Sequence, residues 1–100
     1  MSRNEILLSG RVRNLEPLRH TPAGIPLLSF ELAHESRQTE AQHDRTVQLD
    51  LSVMVLGDLA VEMARLEQDQ PVLVKGFLTR RSVKSASVVL HATAYKTDLE

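Results

Sequence analysis

Apolar and polar positions alternate with period two along most of this 100-residue chain, the pattern of strands buried on one face. In Glu5–Leu15 the residues Ile6, Leu8 and Val12 share a face, and Gly10 marks a bend or bulge. In Ile25–Arg37, Leu28, Phe30, Leu32 and His34 point inward, with Ser29, Glu31 and Glu35 outward. Thr46–Leu56 alternates most cleanly, setting Val47, Leu49, Leu51, Val53 and Val55 against Gln48, Asp50 and Ser52. Pro71–Thr79 aligns Val72, Val74, Gly76 and Leu78; Val88–Tyr95 aligns Val88, Leu90, Ala92 and Ala94. One stretch departs from the rule. Gly57–Glu67 offers Asp58 as a helix N-cap, then Leu59, Met63 and Leu66 at helical spacing.

The order is therefore three strands, a short helix and two strands. It predicts an all-β fold, a five-stranded Greek-key OB-fold barrel with its helix between the third and fourth strands. An SH3-like barrel accounts less well for Gly57–Glu67. The connections sharpen the prediction. In RHTPAGIPLLSF (Arg19–Phe30), Pro22 presets φ and Gly24 supplies the positive φ of a tight reversal. Pro26 has no N–H for a ladder, so the second strand starts there or lies at an edge. Gln38–Arg45 reads as a projecting hairpin tip, and Arg80–Ser87 as a small, polar, basic loop. Residues 1–100 read as one domain.

Composition narrows the function classes. There is no Cys, which excludes disulfides and thiolate metal sites and fits the cytosol. No apolar window approaches membrane-spanning length, so a soluble cytosolic protein without membrane contact is expected. The four histidines, His20, His34, His43 and His91, lack zinc spacing. No phosphate-binding glycine loop or nucleophile elbow occurs, so no enzyme, metal or cofactor is expected.

Net charge is −1, which by itself disfavours a nucleic-acid binder, but the charges are segregated. Gln70–Thr97 has no acid and five bases (Lys75, Arg80, Arg81, Lys84, Lys96), while Gly57–Asp69 has four acids against Arg65. Screening over about 8–10 Å lets such blocks keep a local field. In an OB-fold, a single strand lies across the second and third strands, gripped by the loops joining strands one to two and four to five. Here these are Glu16–Gly24, with Arg19 and His20, and Arg80–Ser87, with Arg80, Arg81 and Lys84. Arg11 and Arg13 add cations on the outward face of the first strand. The alternative for the basic loop is a merely solubilising surface. Stacking groups are scarce: Phe30 belongs in the core, and only Phe77 and Tyr95 can face outward. His43 can stack a base weakly or is simply an exposed loop residue. Binding led by electrostatics and sensitive to salt is expected.

At RHTPAGIPLLSFELAHES, with LSG before it and VKGFL and VVLHA after it, the chain resembles the bacterial primosomal replication protein N (PriB) family. That family is a relative of the single-stranded DNA-binding proteins. The match runs from about Asn4 to Lys96 in the same order. The resemblance implies a homodimer of OB-folds that binds single-stranded DNA without sequence preference. It further implies a place in the replication restart primosome, stimulating the PriA helicase at stalled forks beside other primosome proteins. By position, Arg19 matches the basic residue of the first loop, and Arg80, Arg81 and Lys84 fall in the basic loop between the last two strands. Arg13, His20, Arg37, His43, Arg45 and Gln48 complete the candidate DNA-binding set. Better-known members carry Phe at the hairpin tip and Trp on the third strand, where this chain has His43 and Gln48. A second-strand Arg is replaced by Glu35, with Arg37 two residues on. The other reading is a protein-interaction scaffold with little direct DNA binding, and an RNA ligand is a further alternative.

Overall fold

The expected bend at Gly10 is what closes the barrel. In the computed structural model, which describes residues 2–98, strand β1 (Ile6–Arg13) first pairs with β5 (Pro71–Arg80). It then crosses to β3 (Pro26–Glu40) over Arg11↔Ala33 to Arg13↔Glu31. A Cβ on Gly10 would lie 2.5 Å from the Ala33 carbonyl oxygen, so the crossing needs a residue without a side chain. Strand β4 (His43–Leu56) pairs along the length of β3, and β6 (Val88–Lys96) lies between β5 and β4. The β4–β6 ladder is parallel at Val53↔Leu90 and Met54↔His91; the other pairings are antiparallel. This is the OB-fold order. A two-residue bridge, β2 (Arg19–His20), pairs with Leu27 and Pro26 and ties the first loop to β3.

The interior is built by the predicted alternation. Val12, Leu28, Phe30, Leu32, Val53, Val55, Val72, Val74 and Leu90 are buried together, with no buried polar side chain among them. Helix α1 (Asp58–Met63) plugs one end, burying Ala60 and Met63, and Leu66 follows just beyond it. It is shorter than the Gly57–Glu67 expected. Gly57, at φ 81°, takes the N-cap position, and Asp58 sits in the first turn, where its charge still favours the helix start.

Three local expectations change. The Gln38–Arg45 tip is reduced to a two-residue turn, Ala41–Gln42, both with positive φ, so His43 and Arg45 are strand residues. The ladder extends because every pair from Leu27↔Leu56 to Glu40↔His43 remains in register. The last strand loses its inward alternation at both ends: Val88 is exposed, as is Ala94. Val89, outward by the same alternation, is nonetheless buried, on the outer side beside the hairpin. The turn after His20 forms as read: Gly24, at φ 84°, donates from its N–H to Thr21 O (2.8 Å), and Pro26 opens β3. No helix among the described residues is long and apolar enough to cross a membrane.

Candidate nucleic-acid interface

Because Leu28, Phe30 and Leu32 of β3 and Val53 and Val55 of β4 point into the core, the alternate positions form one outer face that continues along the hairpin in paired rows: Ser29–Met54, Glu31–Ser52, Ala33–Asp50, Glu35–Gln48 and Arg37–Thr46. Two concavities adjoin along these rows. The smaller, about 300 Å³, has Ser29, Glu31, Ser52 and Met54 as its floor and Val89 beside them. Arg19, from the loop after β1, and Arg81, from the loop after β5, both line it. Arg81 donates from Nη2 to Ser52 Oγ (2.8 Å), which fixes its guanidinium over β4. The two loops predicted to flank one groove therefore do so, through Arg19 and Arg81.

The larger concavity, about 580 Å³, follows on the next rows. Ala33, Glu35, Gln48 and Asp50 line it from the hairpin, and Arg11 and Arg13 from β1. Arg13 is thus beside the hairpin rather than between the two loops, and its guanidinium pairs with Asp69. Arg37 continues the same outer face and pairs with Asp44 at 3.9 Å. His43 and Arg45 pair with Glu40 and Gln38, so they stand on the opposite face of the arm from Gln48 and Arg37. His20 is exposed and lines neither concavity. Arg80 folds back on its own loop, donating to Val83 O (3.1 Å), and Lys84 is exposed there.

Carboxylates accompany the cations, a feature the spacing of charges along the chain did not show. Glu16 pairs with Arg19 at 3.6 Å, and Glu31 accepts from Asn14 Nδ2 at 3.0 Å on the groove floor. Glu35 and Asp50 line the larger concavity. The pairs are more than half exposed, so each contributes only about 0–1 kcal/mol and can open for another anion. Sequence reasoning missed Asn14 and Met54 as groove residues; their placement depends on where the first loop returns to β3. Among the described residues no group of His, Asp or Glu is arranged to hold a metal ion.

Residues 4–94 match the model of a family described as another single-strand binding protein family. The replication restart protein PriB of Bordetella pertussis is 43% identical over 88 residues, 88% of this chain and 82% of that protein. The chain belongs to the PriB family. Its fold is similar to the PriB structure from Ralstonia solanacearum, with a TM-score of 0.86 and 26% identity over 97% of this chain and 99% of that one. A small single-stranded DNA-binding protein from Streptomyces coelicolor is also similar, with a TM-score of 0.76 and 25% identity over 99% of this chain and 96% of that one. PriB relatives and single-strand binders therefore share this barrel, and the adjoining concavities lie on the face formed by its long hairpin.

Proposed function

We propose that this protein is a sequence-independent single-stranded DNA-binding accessory of the replication restart primosome, acting in the cytosol as a homodimer, without catalysis and without a cofactor. Its role beside the PriA helicase is to hold unwound template and stimulate unwinding at stalled forks. The observation that carries the reading is the convergence of Arg19 and Arg81, from two separate loops, on one concavity over β3 and β4. Two cations above a polar floor suit a phosphate backbone.

The test is a titration of labelled oligo(dT) at two salt concentrations. Arg81→Ala is expected to weaken binding and to reduce the log–log salt slope by about 0.7, the share of one phosphate contact on a single strand. An unchanged slope removes the loop after β5 from the site. The scaffold alternative draws on Glu31, Glu35 and Asp50, which place negative charge on the same face. Negligible oligo(dT) binding at low salt, with helicase binding retained, would establish it.

A further inference from the structure

We propose that Phe77, backed by His91, is a base-stacking platform on the outer face of β5 and β6, taking a nucleobase of the strand as it leaves the smaller concavity. The proposal rests on the single-strand binding argued above. The chain has three aromatic residues and no Trp. Phe30 is buried in the barrel, and Tyr95 packs against the core with its hydroxyl donating to Glu62 Oε1 (3.1 Å). Phe77 alone keeps an open ring, 39% exposed on a strand exterior.

That ring is held in place. Its centroid lies 5.3 Å from the His91 ring, with 23° between the planes. A near-parallel pair of this kind is a favourable arrangement in itself, and the exposed part of the Phe77 ring is the surface it offers to a third planar group. A nucleobase is such a group, and stacking on a side-chain ring accepts any base, as sequence-independent binding requires.

The platform continues the groove. Register pairs Met54 with His91 across β4 and β6, and His91 with Phe77 across β6 and β5. Met54 lines the concavity that holds Arg19 and Arg81, so the row runs from the groove floor to the ring over two strand spacings, roughly 10 Å. Charge favours the same direction. Lys75, Phe77 and Thr79 alternate on the outer side of β5, with Arg81 just past its end, and no acid occurs between Gln70 and Thr97. A phosphate following this row meets Lys75 and Arg81, with Glu5, abreast of Phe77 in the β1–β5 register, as the acid beside it, whereas along the hairpin it meets both Glu35 and Asp50.

The absence of Trp supplies a direct probe. Phe77→Trp makes position 77 the sole indole emitter, and saturation with oligo(dT) at low salt is expected to quench it. Phe77→Leu, which keeps an apolar side chain, is expected to weaken oligo(dT) binding by roughly 5- to 150-fold, one stacked base, with the salt slope of the wild type. If the wild type binds while Phe77→Leu binds within about twofold of it and Phe77→Trp emission is unmoved at saturation, the platform is overturned and the groove stands. Should the wild type fail to bind oligo(dT) at low salt, groove and platform fall together. If circular dichroism shows Phe77→Leu unfolded, the Phe77→Trp emission alone decides, and no change in it overturns the platform.

Discussion

Glu31 is the residue at which the electrostatics of the groove can be tested most directly. Its carboxylate is half-buried on the floor between Arg19 and Arg81, and its hydrogen-bond donor is the neutral Asn14. Glu31→Gln removes the negative charge while leaving an amide oxygen to accept from Asn14. For a phosphate seated about 7 Å away, one charge is worth roughly 0.6 kcal/mol at a dielectric of 80 and 2.4 kcal/mol at 20. Screening over a Debye length of about 8 Å roughly halves either figure. The expected gain is about 0.3–1 kcal/mol, or a two- to fivefold tighter complex. Fluorescence anisotropy of labelled oligo(dT) measures it, and the gain should shrink as salt rises. A thermal melt shows whether the fold is intact. Unchanged or weaker binding by a folded Glu31→Gln variant would refute the placement of phosphates over this floor.

Two further predictions concern the frame that holds the groove. Met63 is fully buried where α1 closes the barrel, so Met63→Ala should cost about 2–5 kcal/mol in urea unfolding, and a loss below about 1 kcal/mol would contradict the plug. The pKa of Tyr95 is raised from 10.0, first by burial, then by the hydrogen bond to Glu62 and by the repulsion of that carboxylate. Since folding favours the neutral phenol, this contribution to stability is present below the unfolded pKa near 10.0 and is lost as pH rises through the higher folded value. Near-ultraviolet absorbance of this single tyrosine should titrate above 10, and Glu62→Gln should bring its midpoint down.

The barrel was legible because burial on one face imposes period two, and Leu28, Phe30, Leu32, Val53 and Val55 keep it without a break. Helix α1 showed through Leu59, Met63 and Leu66, but its end did not, since the turns that follow Met63 carry Leu66 inward as a further helical turn would. The Ala41–Gln42 turn gave no signal because it meets the two-residue hairpin's demand for positive φ without Asn or Gly. For the site, topology alone brought the loops of Arg19 and Arg81 together. Which basic residue of each loop enters was not legible: Arg80 and Arg81 are neighbours in sequence, yet one bonds to Val83 O and the other reaches Ser52. Register likewise separates His43 and Arg45 from Gln48, a distinction that needs the turn to be placed to the residue.

The ion pairs set the character of the proposed clamp. Arg13, Arg19 and Arg37 each already face a carboxylate, Asp69, Glu16 and Asp44 respectively. A phosphate reaching any of them exchanges one anion for another, so the gain is a difference and the counterions released are fewer than the arginines counted. Arg81 differs, because its partner is the neutral hydroxyl of Ser52. A phosphate there meets a guanidinium whose charge no carboxylate offsets at that contact. The loop after β5 should therefore dominate the salt dependence, although more arginines stand along the hairpin and β1. Affinity beyond that share has to come from contacts that cost no ion pair, and the exposed ring of Phe77, an uncharged group, is where the fold offers one.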